Sequence, residues 1–500
     1  MYAINPTTQQ PLPGEFPATP ATEINRLAEQ AQEAFAIYRQ KSGKEKAAFL
    51  YAIADEIIAL GDELIQRTVA ESGLPEARIM GERGRTVGQL RMFADYVAEG
   101  SWVDARIDYA QPERQPLPKP DIRQMLVPVG VVVVFTASNF PLAFSTAGGD
   151  TASALAAGNP VIVKAHESHP GTHALVAKAI QTAAEKTGMP AGVFASVYGQ
   201  IPEGQALIKH PLVKSVAFTG SFRGGKALYD TVAARPEPIP VFAEMGSVNP
   251  VILLEKTLEI RGKAVAEMYA GSVTMGAGQF CTNPGLLIGK TGEYLDNFIN
   301  HLGAAIQTIS PATMLNEKIY RGYESGRGEM LSQKGVNLEG QAEKTGEEWR
   351  GCGTVASVSG RDFLANPHLQ EEVFGPFTLV VKCVSDAEML AVIKNLRGQL
   401  TATVMGEPEE LGAYGELTDA LREKVGRLIF NGVPTGVEVC HSMFHGGPFP
   451  ATTDSRFTSV GSNAIRRFAR PVAYQSWPQT LLPEELKDGN PLGIRRMEVR

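Results

Sequence analysis

The stretch Val131-Val132-Val133-Val134-Phe135-Thr136-Ala137 is apolar and β-branched without alternation. A strand with one wet face alternates polar and apolar residues, so an unbroken run belongs to a strand buried on both faces. Four runs of similar texture follow at 160–165, 193–198, 215–219 and 240–244. Helical stretches separate them at 144–157, 172–187, 203–209 and 222–234. Strand–helix alternation with continuous apolar strands predicts a parallel sheet covered by helices on both sides. A second alternating block runs over 249–431, with strands expected at 377–383, 401–406 and 428–431. Two successive α/β blocks leave a cleft between them, the usual seat of a ligand.

Upstream of these blocks the spacing predicts helices over 21–39, 44–72 and 76–99. The second shows Leu50, Ile53, Ala54, Ile57 and Ile58 at three- and four-residue intervals and stops at Gly73 and Pro75. The proline-dotted piece 106–121 reads as a two-stranded arm reaching away from the core. With 500 residues, 43% hydrophobic and 20% charged, the chain is too long for one core and too apolar for disorder. Its net charge of −7 argues against nucleic acid or an anionic membrane as partner. Residues 1–20 lack the basic and apolar regions of a secretion signal. The apolar stretch 126–137 is shorter than the ~20 residues a bilayer needs. Four cysteines, Cys281, Cys352, Cys383 and Cys440, lie far apart with no C-x-x-C pair. A disulfide scaffold is therefore not expected, and a reducing cytoplasm fits best.

Few residues stand out chemically. Cys281 lies in Gly278-Gln279-Phe280-Cys281-Thr282-Asn283-Pro284-Gly285 and is the only cysteine framed by glycines and a proline. Most free thiols are packed and inert, but one in a tight loop can meet a substrate. Glu244 ends the run Pro240-Val241-Phe242-Ala243-Glu244, where a carboxylate points into the crevice and partial burial would raise its pKa toward a useful base. Asn139, after a buried strand, can offer its amide to an oxyanion, although an Asn in a turn is common. The segment Phe218-Thr219-Gly220-Ser221-Phe222-Arg223-Gly224-Gly225 runs from strand to helix and can hold a phosphate at the helix start. It lacks the G-x-G-x-x-G spacing, so alone it is a weak dinucleotide signal. His166, His169 and His173 are interrupted by Pro170-Gly171, and His441 and His445 precede Gly446-Gly447-Pro448. Neither group reads as a metal site.

Taken together, these motifs resemble those of the aldehyde dehydrogenase superfamily over nearly the whole chain. The resemblance assigns Asn139 to the oxyanion, Glu244 to the general base and Cys281 to the nucleophile. It gives Lys164 and Glu167 to the adenine ribose, and Gly220, Ser221 and Gly225 to the phosphate turn. Glu372 and Phe374, in Glu371-Glu372-Val373-Phe374-Gly375-Pro376-Phe377, correspond to the nicotinamide ribose segment. Met245 and Ser247 replace the more usual Leu and Gly. Together with Phe430-Asn431-Gly432-Val433-Pro434-Thr435-Gly436 and Ala451-Thr452-Thr453-Asp454-Ser455-Arg456, they look like the α-ketoglutaric semialdehyde (2,5-dioxovalerate) dehydrogenase subfamily.

The resemblance implies an α/β fold with two Rossmann-like parallel-sheet domains and a β-hairpin oligomerisation arm, the aldehyde dehydrogenase fold. The cofactor-binding domain is expected over 1–105 and 127–246, the catalytic domain over 247–456 and the arm over 106–126 with 466–500. The implied reaction is NAD(P)-dependent oxidation of an aldehyde through a Cys281 thioester hydrolysed with the help of Glu244. Glu167 would repel a 2′-phosphate and favour NAD, whereas the subfamily often uses NADP and His166 or Lys164 offset that repulsion; the choice stays open. Phe140 and Arg456 are candidate substrate residues, Arg456 for a distal carboxylate. No metal is expected, and a homodimer or homotetramer is. A coenzyme-A-acylating relative would characteristically lack Glu244, and a non-catalytic one would not need Cys281.

Overall fold

The computed structural model describes all 500 residues except Thr345 and Glu347. Val131–Phe135 is the middle strand of a five-stranded parallel sheet. The order across it is Phe194–Val197, Val161–Lys164, Val131–Phe135, Val213–Thr219 and Val241–Glu244. Its valines are all at most 2% exposed. Val132 and Val134 join one core cluster and Val131 and Val133 another, because successive strand side chains point to opposite faces. Burying one such side chain stabilises by about 1.5–3 kcal/mol. A polar residue at any of these positions therefore costs more than a lost helix cap, about 1 kcal/mol.

The second sheet has seven strands, in the order Asn337–Gln341, Thr354–Ser359, Phe377–Cys383, Leu286–Lys290, Val251–Leu253, Thr401–Met405 and Arg427–Phe430. All neighbours are parallel except the edge strand Asn337–Gln341. It too separates two clusters, with Ile252 on one face and Val251 and Leu253 on the other. A third, four-stranded sheet joins Ala469–Gln475, Ile122–Pro128, Arg106–Asp108 and Met497–Val499.

Three local expectations are corrected. The helix expected over 44–72 is two, Gly43–Ala59 and Gly61–Ser72, because Gly61 adopts a left-handed φ of 54°. The first is started by a capping box in which Ser42 accepts from the Glu45 N–H at 3.2 Å and its own N–H donates back at 2.8 Å. The helix expected from 144 starts only at Gly149, since 141–148 folds into tight turns that bring Gly148 against the Ala143 carbonyl. In the arm, Arg106–Asp108 pairs with Ile122–Pro128, while the prolines between them leave a single bridge, Gln111 to Lys119. Among the described residues, no helix is long and apolar enough to cross a membrane.

Candidate active site

Val241–Glu244 is an edge strand, and the late chain covers its free side. Met245 donates its N–H to the Ala451 carbonyl at 2.8 Å and Thr453 donates to Ala243 at 3.1 Å. A short bridge joins Glu244 to Thr452. This pairing carries His445 and Ser459 to the end of the strand. The Ser459 hydroxyl donates to one Glu244 oxygen, and His445 Nε2 lies 2.9 Å from the other. The same Nε2 lies 3.5 Å from Cys281 Sγ.

Cys281 comes from the opposite sheet. After the helix Glu255–Thr274 the chain makes a tight turn at Met275–Gly278, and Cys281 precedes the strand Leu286–Lys290. Gly278 has φ of 66°, and a Cβ there would sit 2.3 Å from the Gly375 carbonyl carbon, so only glycine fits. The loop is clamped by Asn249, whose Nδ2 donates to the carbonyls of Cys281 at 2.8 Å and Asn283 at 2.9 Å. Asn283 in turn donates to the Gly375 carbonyl at 3.2 Å. Asn139 faces the loop from the first sheet, with one Nδ2 proton on the Gln279 carbonyl at 3.0 Å and a second left for another acceptor.

Burial raises the Glu244 carboxyl, but His445 and the Ser459 hydroxyl outweigh it and the net shift is downward. This corrects the expected rise: Glu244 stays a carboxylate. Burial, reinforced by the Glu244 charge, pushes the Cys281 thiol well up. At rest the sulfur is therefore protonated, within reach of both His445 Nε2 and the Glu244 carboxylate. His445 was not among the residues expected to react. Its Gly446-Gly447-Pro448 neighbours mark a loop, and only strand pairing 200 residues downstream of Glu244 turns that loop inward.

An apolar wall of Phe140, Phe144 and Phe280 flanks the sulfur, with ring centroids 5.2 and 5.5 Å apart for the pairs involving Phe140. The Phe144 ring is tilted against that of His445, with centroids 6.4 Å apart. Arg456 lies outside this cluster. Its side chain is 79% exposed and donates from Nε and Nη2 to Asp454, at 2.9 and 2.6 Å.

The remaining candidates surround the same crevice. Lys164 ends its strand, and among the described residues no hydrogen-bond partner meets its ammonium; burial lowers its pKa. Glu167 is paired with Lys318 at 3.7 Å. Gly220 donates to the Glu244 carbonyl at 3.0 Å, and Ser221 caps the helix Phe222–Ala233 by accepting from Gly224 at 3.2 Å. A Cβ on Gly225 would meet Met245 at 2.7 Å. Glu372 and Phe374 line a crevice with Ser247, Gly278 and Asn283, and a Cβ on Gly246 would strike the Glu372 carboxylate at 2.3 Å. A lysine end free of hydrogen bonds among the described residues, a capped helix start and a cradle open only to glycine fit a dinucleotide. His169 and His173 instead bind inward, to the Ala137 carbonyl at 2.9 Å and to Thr146 and Ser196 at 2.7 and 3.0 Å.

Two sheets of mostly parallel strands thus bring a half-buried thiol, a buried imidazole and a buried carboxylate together at their facing ends. The chain belongs to the aldehyde dehydrogenase family, which it matches over residues 1–322, and it is an NAD(P)-dependent oxidoreductase. It is 50% identical over 499 residues to α-ketoglutaric semialdehyde dehydrogenase 2 of Azospirillum brasilense, covering 99% of this chain and 95% of the relative. It is 46% identical over 497 residues to α-ketoglutaric semialdehyde dehydrogenase of Acinetobacter baylyi, covering 99% and 94%. The fold matches that of 3,6-anhydro-L-galactose dehydrogenase with a TM-score of 0.80 at 22% identity, over 95% and 96% of the two chains.

Proposed function

We propose that this chain oxidises α-ketoglutaric semialdehyde to 2-oxoglutarate through a thioester on Cys281. The observation that carries the reading is the contact of His445 Nε2 with both Cys281 Sγ and the Glu244 carboxylate, at 3.5 and 2.9 Å. His445 takes the thiol proton as the sulfur bonds to the aldehyde carbon, and Glu244 stabilises the imidazolium that results. The second Asn139 Nδ2 proton and the Cys281 backbone N–H meet the oxyanion. When bound, the nicotinamide supplies the two-electron acceptor for the oxidation. Glu244 then takes a proton from the water that attacks the thioester, and the sulfur leaves with a proton returned through His445. Lys164 and Glu167 hold the adenine ribose, Gly220, Ser221 and Gly225 the phosphates, and Glu372 and Phe374 the nicotinamide ribose. Phe140 packs on the substrate chain.

The cofactor domain is assigned to 1–105 and 127–246, the catalytic domain to 247–456, and the arm to 106–126 and 466–500. Ala469–Gln475 is an edge strand with one side unpaired, which supports a homodimer or homotetramer built on this sheet. Four unpaired cysteines support a reducing, cytoplasmic setting. The test is reduced nicotinamide formed from α-ketoglutaric, succinic and glutaric semialdehydes and neutral aldehydes, with and without coenzyme A. Turnover that requires coenzyme A, or that survives in Cys281→Ala, overturns the mechanism.

A further inference from the structure

The helix Glu76–Glu99 runs past the site and presents Arg78, Glu82 and Arg85 on one face, at intervals of four and three residues. Glu82 accepts from the backbone N–H groups of Leu142 and Ala143 at 2.8 and 2.9 Å, tying this face to the turn that carries Phe140 and Phe144. Arg78 is occupied. It pairs with Glu82 at 3.7 Å, donates to the Asn139 carbonyl at 3.3 Å, and lies over Phe140 and Phe280 at 4.7 and 4.6 Å.

Arg85 is not. Its Nε and Nη2 are buried, and among the described residues neither has a hydrogen-bond partner. The guanidinium lies 5.3 Å over the Phe144 ring and 5.8 Å over Phe140, near enough to Glu82 and Glu244 for their charges to act on it. Buried guanidinium protons without acceptors are costly to keep. A fold retains such a group where something else completes it, and the planar fork of Arg matches a carboxylate. Two other arginines have their outer nitrogens engaged: Arg427 leaves only its buried Nε without a partner among the described residues and spends both Nη atoms on the carbonyls of Gly436 and Pro434 at 3.2 and 2.8 Å, and Arg456 is bound to Asp454 at the surface.

We propose that Arg85 is the receptor for the carboxylate at the far end of the substrate, with Phe140 and Phe144 packing on the methylenes between. The inference rests on the substrate class proposed above. It supplies what that substrate requires, since four C–C bonds of about 1.5 Å each separate its aldehyde and carboxyl carbons. With the aldehyde at Cys281, the carboxylate falls among the aromatic rings that Arg85 covers.

The test compares α-ketoglutaric semialdehyde with pentanal, a neutral aldehyde of the same length, in wild type, Arg85→Gln, Arg85→Lys and Arg456→Gln. Arg85→Gln is expected to raise KM for the acid at least tenfold more than KM for pentanal. Arg85→Lys, which keeps the charge and loses the fork, should fall between, and serves if the glutamine variant does not fold. A second readout needs no turnover: 2-oxoglutarate should slow alkylation of Cys281 in wild type and lose that protection in Arg85→Gln. Equal KM changes for both substrates, retained protection, or a selective loss in Arg456→Gln instead would overturn the assignment. A failed substrate class looks different, because wild type itself would then show no preference for the acid over pentanal; that result removes Arg85's role with it.

Discussion

The Nε2 atom of His445 stands 3.5 Å from the Sγ of Cys281, and this single contact decides how a thiol raised by burial becomes a nucleophile. Neither residue has a strongly favourable setting alone. The sulfur is desolvated beside a carboxylate, and among the described residues the imidazole has no partner at Nδ1. Their proximity places the base at the proton it must remove. His445→Gln should lower kcat/KM about 100-fold, the usual scale for a lost general base. It should also slow iodoacetamide labelling of Cys281 at neutral pH. Unchanged labelling would show that the proton leaves by another route.

Ser459 acts on the other partner. Its hydroxyl donates to Glu244, and removing it in Ser459→Ala takes away a contact that favours the charged carboxylate. The Glu244 pKa should rise, and the acidic limb of the deacylation rate should move to higher pH. Single-turnover hydrolysis of the acyl-enzyme between pH 4 and 8 measures the shift. A limb that stays in place would remove Ser459 from this role.

Asn249 clamps the cysteine loop through two carbonyls and holds a left-handed φ of 47° while buried. Asn249→Ala leaves the Cys281 carbonyl without its donor, at about 1–3 kcal/mol, while the Asn283 carbonyl keeps the Gly285 N–H. The melting temperature should fall by several degrees, and residual activity at low temperature should fall further than stability explains. Urea unfolding and kinetics on the same sample separate the two effects.

The buried histidines predict an acid-side loss of stability. His173 is held down to about 3 by burial, from an ordinary value of 6.5. The unfolded chain therefore binds the extra proton between pH 6.5 and 3, so stability falls as pH drops through that window, by up to about 1.4 kcal/mol per unit. His166 and His169 shift in the same direction, chiefly by burial. Urea midpoints from pH 7 to 5 should fall steadily, and His173→Asn should flatten the slope even though it also lowers the midpoint at pH 7. A slope unchanged in that variant would assign the titration elsewhere.

Glu167 sets a test of cofactor choice. Its carboxylate pairs with Lys318 at 3.7 Å, both side chains being substantially exposed, and lies near enough to Lys164 for the two charges to interact. Glu167→Gln should shift the ratio of kcat/KM toward NADP by several-fold, through loss of repulsion at a 2′-phosphate. Parallel kinetics with both cofactors read the ratio directly, and a shift toward NAD would contradict it.

Both parallel sheets were legible because their strands are buried on both faces and show unbroken apolar runs. Glu244 and the Gly220–Gly225 turn follow from that, since each lies at or just beyond a strand's end, whereas Lys164 comes only with the family resemblance. Glu244's charge state did not, because burial and hydrogen bonding oppose each other and only the geometry says which is larger. His445 and Ser459 were hidden for a different reason. They act through antiparallel pairing of residues 451–453 with an edge strand, a contact that leaves no periodic mark on a loop. Arg85 lies on an amphipathic helix whose charged residues read as solvated. Nothing in the spacing separates the arginine that faces the aromatic rings from those that face water.

The site is sewn together from distant parts of the chain: Ser459 is 215 residues from Glu244, and His445 is 164 from Cys281. A nascent or partly unfolded chain holds the thiol without the imidazole that deprotonates it and without the clamp that aims it. The sulfur becomes a strong nucleophile only once the late loop has closed on the edge strand. Completion of the fold is thus what assembles the proposed site, since no one segment of the chain carries the thiol, the imidazole and the carboxylate together.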